Sequence, residues 1–154
     1  MQTRIIAAVT LAFAQLGCSN AIAPRSAEEL RSAPLSVTAD GKTLVLEPFL
    51  WRDFMPVSPP DGKPLVAILR LRASDGSAPP SDVHIDAAWV VNGREVWTTG
   101  VGEERVTSTS YEVVARNGPK WGPGVAVDVI VRVRDSHGTT SLLRAANQLI
   151  GRTD

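Results

Sequence analysis

The clearest β-strand pattern in the chain is Val125-Ala126-Val127-Asp128-Val129-Ile130-Val131-Arg132-Val133-Arg134. Every second residue from its start is valine, and three of the five residues between are charged. Successive side chains of a β-strand point to opposite faces, so this alternation predicts a strand with one buried and one solvated face. The valine strand therefore needs neighbouring strands that supply the rest of a sheet.

A second segment, residues 83–91, alternates in the same way and is predicted to be another strand. Its odd-numbered residues are apolar, and we expect them to face the core together. They are Val83, Ile85, Ala87, Trp89 and Val91. The central position of Trp89 in this set makes it the largest expected core residue of the strand.

Asn92-Gly93 follows this strand directly and predicts a two-residue hairpin turn, because both residue types tolerate a positive φ. Such a turn fixes the register of the two strands. It places Trp89 opposite Val96, so both are expected to point into the core. Trp97 is then expected to lie on the opposite face.

Further turn signals divide the remaining chain into short strands. Asp40-Gly41 separates residues 35–39 from 43–47, and residues 135–138 separate the valine strand from 139–145. Residues 65–72 and 111–116 are also predicted strands. The total is about eight strands, and residues 34–145 show no apolar helical pattern of the kind that a parallel βαβ fold needs.

An inward tryptophan on a central strand, followed by a tight hairpin, resembles the immunoglobulin and fibronectin type III group of domains. The resemblance implies an all-β antiparallel β-sandwich of about 7–8 strands, spanning residues 35–154. Because the domain contains no cysteine, it is closer to the fibronectin-like members, which lack the disulfide of antibody domains. The expected core includes Val127, Val129, Val131, Ile85, Trp89 and Val96.

The N-terminal residues have the pattern of an export signal. Arg4 precedes an uncharged apolar run, residues 5–14, which is too short to span a bilayer. With Cys18 downstream, it resembles a bacterial lipoprotein signal. The resemblance implies that residues 1–17 are removed and that Cys18 becomes the lipidated N-terminus, bound to the membrane of the cell envelope. The alternative is ordinary secretion, with cleavage after Ala14 or Ala23 and a soluble periplasmic or secreted product.

Residues 18–34 are rich in Ala, Ser, Pro and charge, and are interpreted as a flexible linker between membrane and domain. Ser26 and Glu29 have the spacing of a capping box, which allows a single helical turn. No apolar face worth burying is evident in this turn. We therefore expect only transient helix here.

The composition excludes several function classes. The 154 residues hold 16 basic and 16 acidic side chains, so the surface charge of a nucleic-acid binder is absent. One Cys and two His cannot build a zinc or multi-histidine centre. Asp82, His84 and Asp86 share one strand face, which is interpreted as a solvated surface. We expect no enzyme activity, no metal and no cofactor.

Large aromatic residues beside Pro and Gly provide the best candidate binding surface. Trp51 and Phe54 belong to a predicted loop at residues 49–56, Trp121 lies in a loop at residues 118–124, and Trp97 is expected on the outer sheet face. Rigid aromatics suit recognition of an envelope protein or a glycan. Alternatively, these rings plug the ends of the sandwich.

These observations predict a non-catalytic binding or structural module of the bacterial cell envelope. A second interpretation is an inhibitor or accessory subunit of an envelope enzyme, which would act through the Pro-rich loop at residues 55–62. A third is a small periplasmic hydrolase. No pattern in the sequence indicates the oligomeric state.

Overall fold

The computed structural model describes residues 22–154. The predicted signal at residues 1–17 and the predicted lipidation site at Cys18 lie outside the described residues. The elements in chain order are α1 (Ala27–Arg31), β1 (Val37–Ala39), β2 (Lys42–Asp53), β3 (Leu65–Ala73), β4 (His84–Asn92), β5 (Glu95–Thr99), β6 (Gly102–Val106), β7 (Tyr111–Gly118), β8 (Ala126–Arg134) and β9 (Thr140–Thr153). The all-β class predicted from the sequence is confirmed.

The strands form one mixed sheet in the order β5-β4-β8-β9-β2-β3-β7-β6, and β1 pairs with β2. All neighbouring strands are antiparallel except β2 and β9, which run parallel from the Leu50 and Ile150 pair onward. The first part of β9 pairs with β8 instead. The expectation of a purely antiparallel sheet is therefore wrong at this junction, because the long β9 changes partner along its length.

The sheet curls so that its two halves share a core. We call β4, β5, β8 and the start of β9 the β4 half, and β2, β3, β6 and β7 the β3 half. Inward side chains of both halves pack into one cluster. Its largest fully buried members include Leu44, Leu65, Leu69, Leu71, Leu143 and Val90. Burial of each such side chain stabilises the fold by about 1.5–3 kcal/mol.

The valine strand is confirmed as β8. Val127, Val129, Val131 and Val133 are buried in the shared core, at 2% exposure or less. Ile130 lies on the other face of β8 and is also fully buried. The outer face of this strand is therefore covered locally, and not solvated along its whole length.

A β-bulge interrupts β4 and reverses its two faces. Ile85 pairs with Val133 and Ala87 pairs with Arg132, which leaves Asp86 without a partner on β8. One extra residue on a strand shifts every later side chain to the opposite face. The alternation read from the sequence therefore holds only up to Ile85.

The bulge corrects the expected core of the β4 half. Ala88 and Val90 face the shared core, whereas Trp89 and Val91 belong to a separate cluster on the outer face, together with Ala87. Val96 of β5 also packs on this outer cluster. The assignments of Ala87, Trp89, Val91 and Val96 to the shared core were wrong; those of Val83 and Ile85 are confirmed.

The β4–β5 hairpin is present, but its turn lies one residue later than predicted, so each residue of β4 pairs with a residue two positions further along β5 than expected. Asn92 pairs with Glu95, and Gly93, with a φ of 59°, is the first of the two central residues. Glycine at this position is what a type II′ turn requires. Trp97 pairs with Val90 and lies on the side of the hairpin opposite Trp89, as predicted, but the bulge turns that side toward the shared core, so its expected place on the outer face was wrong.

The other predicted hairpins are confirmed. β1 and β2 are joined at Asp40 and Gly41, with φ values of 46° and 77°, and residues 135–138 lie between β8 and β9. The predicted strands at 65–72 and 111–116 correspond to β3 and β7. The predicted loop at 49–56 is wrong in its first half, because β2 continues to Asp53.

In the described part of the segment interpreted as a linker, residues 22–34 include a capped helix that packs on the sheet. Ser26 caps α1, its Oγ accepting a hydrogen bond from the Glu29 N–H at 3.1 Å. Leu30 is fully buried and Ala33 is 6% exposed, both against the outer face of the β4 half. The apolar side chains of this short segment therefore pack on the sheet.

Candidate functional site

The outer face of the β4 half is covered by the chain's own N-terminal segment. We call residues 22–34 the N-terminal strap. Ile22, Ala27, Leu30 and Ala33 of the strap pack over an apolar cluster centred on Trp89. Trp89 is only 1% exposed as a result. This face is therefore closed to any partner while the strap is in place.

Polar contacts fix the strap to β8 and β9. The Nε of Arg31 donates to the Oδ2 of Asp128 at 2.8 Å. The backbone N–H of Arg144 donates to the Pro34 carbonyl at 2.8 Å, and its Nε donates to the Ala33 carbonyl at 3.2 Å. These bonds bind both the helix and the segment after it.

The outer face of the β3 half carries an open apolar surface. Phe49 is 59% exposed, and its ring lies 5.4 Å from that of Trp51, centroid to centroid. Phe49 pairs with Ile68 and Trp51 with Val66 across β2 and β3, and Ile68 pairs with Val114 of β7. We call these five residues the apolar strip.

Ion pairs surround the apolar strip. Arg72 pairs with Glu47 at 3.1 Å, and Arg70 pairs with Glu112 at 2.6 Å. A third pair joins Arg116 to Glu103, whose pKa it holds below the ordinary value by hydrogen bonding. Each exposed pair contributes at most about 1 kcal/mol to stability. Together they give the strip a rim of both charges that is neutral in sum.

A small pocket opens beside the strip. It has a volume of about 110 Å³ and is lined by Ile68, Val114, Glu103, Arg105 and Glu112. Two of these residues belong to the strip and two to its ion-pair rim. The pocket is large enough for a partner's side chain, but a small-molecule site is usually about 300 Å³ or more.

The four aromatic residues predicted as a binding surface are not brought together in one platform. Trp51 belongs to the apolar strip, next to Phe49, which the sequence interpretation did not single out. Trp121 and Trp97 are both half-buried against the shared core. A β-carbon at position 118 would lie only 2.7 Å from the Trp97 ring, so Gly118 leaves the space that this ring needs. Both rings contribute to the packing of the shared core.

Phe54, the fourth predicted residue, is enclosed by its own loop. The guanidinium of Arg152 lies 4.1 Å from its ring centroid and that of Arg52 lies 5.0 Å away. A β-carbon at Gly62 would lie 2.6 Å from the ring, so the glycine leaves the space that Phe54 fills. Its position stabilises the loop.

Arg52 is a buried arginine that connects two loops. It is 3% exposed, and its guanidinium donates to the carbonyls of Lys63 at 2.9 Å, Lys120 at 3.0 Å and Gly122 at 2.8 Å, and also to that of Asp61. These carbonyls belong to the two loops after β2 and β7. Arg52 therefore joins both Pro- and Gly-rich loops at one end of the molecule.

The candidate metal cluster of the sequence does not assemble. Asp86 accepts hydrogen bonds from Arg132 at 2.5 Å and from Arg134 at 2.6 Å. Burial alone would raise the pKa of Asp86, but these hydrogen bonds outweigh it and lower the pKa. His84 faces Glu104 at 3.4 Å. Within residues 22–154, no three His, Cys, Asp or Glu side chains are placed to hold a metal ion.

Comparisons with known proteins give no relative. No family description, curated protein or solved structure matches the chain significantly. In the part of the chain that the structure describes, no helix has the length and apolar character needed to cross a membrane. The candidate site therefore rests on its geometry alone.

Proposed function

We propose that this protein is a non-catalytic, lipid-anchored module of the bacterial cell envelope that binds another protein through its apolar strip. The observation that carries this proposal is the largely exposed Phe49 ring, which lies beside the half-buried Trp51 ring on an otherwise well-packed sheet. Aromatic residues in the centre of a surface patch are typical anchors of protein interfaces. The outer face of the β4 half, by contrast, is covered by the N-terminal strap of the same chain.

The chemistry of the strip favours a protein partner. Protein interfaces combine an apolar, aromatic centre with a polar rim. Here Phe49 and Trp51 form the centre, and the rim alternates both charges in ion pairs. A surface with an apolar centre and mixed charges of its own is complementary to this arrangement, whereas a polyanion is not.

An immunoglobulin-like β-sandwich is part of this proposal. If β2 to β9 are lettered A, B, C, C′, D, E, F and G, the two halves read A-B-E-D and G-F-C-C′. This is the strand order of immunoglobulin domains. The immunoglobulin-like fold is therefore supported by this strand order and not by an inward tryptophan, because Trp89 lies on the outer face. Such a fold specifies no function by itself.

Export and lipidation are supported by Arg4, the apolar run at residues 5–14 and Cys18. Metabolic labelling with a fatty-acid analogue tests this part. We expect label in the wild-type protein and none in Cys18→Ser. Equal label in both would refute lipidation and leave the secreted, soluble form as the alternative.

Binding is tested with a matched pair of variants. Photo-crosslinking in the envelope identifies a bound protein, which is purified and titrated calorimetrically against the wild type, Phe49→Ala/Trp51→Ala and Leu149→Ala. Leu149 is 68% exposed and lies outside the strip. We expect the double variant to lose affinity by about 30-fold or more, as for an interface anchor, and Leu149→Ala to bind normally.

Two results would contradict the proposal. Unchanged affinity of the double variant would place binding elsewhere on the surface. If the double variant instead lost binding to an envelope glycan, with protein binding unaffected, the partner class would be wrong.

The loop after Phe54 supports the second candidate function, an inhibitor or accessory subunit. Val57 at its tip is 89% exposed. Backbone hydrogen bonds from Ser58 to Met55 at 2.7 Å and from Gly62 to Pro59 at 2.8 Å stiffen the loop. A stiff, protruding loop suits insertion into a partner's cleft. Loss of binding in Val57→Asp, with Phe49→Ala/Trp51→Ala unaffected, would favour this candidate.

A further inference from the structure

The N-terminal strap leaves little free chain between the domain and the proposed lipid. The chain is packed on the β4 half from Ile22 onward. Only Ser19, Asn20 and Ala21 separate Ile22 from Cys18. Four Cα-to-Cα steps span at most about 14 Å when fully extended. A domain of this length has a radius of gyration of about 14 Å as well.

A connection this short restricts how the domain can turn. Reorientation that exposes the opposite face to the membrane would require the tether to reach around the body of the domain. The strap is fastened by the Arg31–Asp128 and Arg144–Pro34 contacts, so it does not lengthen the tether while the domain is folded. The attachment point therefore stays close to the lipid surface.

We infer that the strap-covered face of the β4 half is held against the lipid surface in the acylated protein, and that the apolar strip points away from it. This inference rests on the proposed lipidation of Cys18. It assigns a membrane-facing side to the domain and leaves the opposite side accessible to a protein partner. The tether, and not affinity for lipid headgroups, sets the orientation.

The charges of the strap agree with orientation by the tether. Arg25 and Arg31 are balanced by Glu28 and Glu29 in the same segment. A neutral strap lacks the basic cluster that binds anionic lipids. The orientation is accordingly expected to persist in uncharged phosphatidylcholine and at high salt.

The test uses the acylated full-length protein in phosphatidylcholine nanodiscs that carry a headgroup-attached quencher. Cys18 is the chain's one cysteine, and acylation blocks its thiol. A single cysteine introduced by Glu28→Cys or Glu47→Cys therefore accepts a fluorescent label selectively. Both positions are exposed; Glu28 is in the strap and Glu47 borders the apolar strip. We expect several-fold stronger quenching at position 28.

A spacer variant provides the matched control. A Gly/Ser insertion of about 20 residues between Ala21 and Ile22 adds a mean reach of about 25 Å. The difference between the two labels should then largely disappear. Circular dichroism of each labelled protein checks that the fold is retained.

The outcomes separate this inference from the proposed function. Acylated protein with equal quenching at both positions overturns the inference alone. A difference that vanishes at high salt overturns it too, because electrostatic adsorption would then set the orientation. Protein without an acyl group by mass spectrometry refutes the proposed lipidation, and the inference falls with it.

Discussion

The two outer faces of the sheet have similar chemistry but different neighbours. On the β4 half, Trp89 and Ile130 lie beneath the strap and are essentially inaccessible. On the β3 half, Phe49 and Trp51 have no covering segment within residues 22–154. An aromatic on an outer sheet face is thus part of folding in one case and available for binding in the other.

The polar groups around these faces differ correspondingly. Beside Trp89, the side chains of Asp128 and Arg144 bond to the strap. Around Phe49, the charged residues pair with one another, as Arg72 does with Glu47. A covered sheet face can therefore be recognised from the direction of the hydrogen bonds that neighbouring polar groups make, as well as from its apolar residues.

The largest expected effect is the loss of stability in Trp89→Ala. Removing a fully buried tryptophan should lower the free energy of unfolding by about 3–5 kcal/mol. Chemical denaturation followed by circular dichroism measures it. Trp97→Ala should cost clearly less, since Trp97 is half-buried.

A conservative variant sharpens this result. The indole Nε1 of Trp89 has no hydrogen-bond partner among the residues that the structure describes. Trp89→Phe keeps an aromatic ring and should therefore lose much less stability than Trp89→Ala. A loss below about 1 kcal/mol in Trp89→Ala would mean that the strap is not packed over this ring.

The next effect in size tests the strap directly. Leu30 is fully buried against the sheet, whereas Leu35, just after the strap, is 56% exposed. Leu30→Ala should destabilise the protein by about 2–3 kcal/mol, because a short peripheral segment relaxes partly into the vacated space.

Leu35→Ala is the matched control for that measurement. The same substitution at a largely exposed site should change the free energy of unfolding by about 0.5 kcal/mol or less. Equal effects at the two positions would show that the strap contributes nothing specific. Hydrogen exchange at the Arg144 amide, which bonds to Pro34, is expected to accelerate in Leu30→Ala only.

Much of the fold was predictable because local patterns and tertiary packing agree. The valine alternation of β8 is uninterrupted, so its buried face follows from a period of two. Asp40-Gly41 forms a hairpin because its two φ values are positive, as those residue types allow. Here the local preference alone suffices to give the correct structure.

The errors have two physical origins. A bulge at Asp86 reverses the faces of β4 without changing the apolar alternation, so Trp89 reads as a core residue. Asn92-Gly93 fits two registers, and the structure has Asn92 as the first paired residue. Neither the bulge at Asp86 nor the register of the β4–β5 hairpin can be predicted from the residues of the hairpin alone.

The candidate site was predictable only in part, because its assembly depends on where β2 ends and on the register of its pairing with β3. Trp51 was selected from the sequence as an aromatic in a loop, but the continuation of β2 places it on a sheet face beside Phe49. The alternation of Phe49 and Trp51 with buried Leu50 and Arg52 was the available signal. Partners across the strip, such as Ile68, follow only from the register.

A smaller effect concerns the acid sensitivity that Asp86 confers at the bulge. Its pKa is lowered in the folded protein: hydrogen bonds from Arg132 and Arg134 favour the carboxylate despite burial. The folded state then gains stability above the ordinary pKa of 3.8, and loses it as the pH falls through the lower folded value. We expect the pH dependence to be weaker in Asp86→Asn.

Unfolding curves between about pH 5 and pH 2 measure this difference. Other carboxyl groups with lowered pKa values, including Asp40 and Asp53, contribute equally to both proteins and cancel in the comparison. Identical pH profiles would show that the two arginines do not stabilise the ionised bulge.

The smallest expected change in stability belongs to the apolar strip. Phe49→Ser/Trp51→Ser should alter the free energy of unfolding by less than about 1 kcal/mol, because Phe49 is mostly exposed and neither side chain is part of the shared core. Denaturation followed by circular dichroism is suitable, since it does not depend on Trp51 fluorescence. A loss near that of Trp89→Ala would mean that the strip is structural, like the covered face. Near-neutral stability together with lost partner binding would instead separate the two faces by role, because only surface that folding does not require is free to be used for recognition.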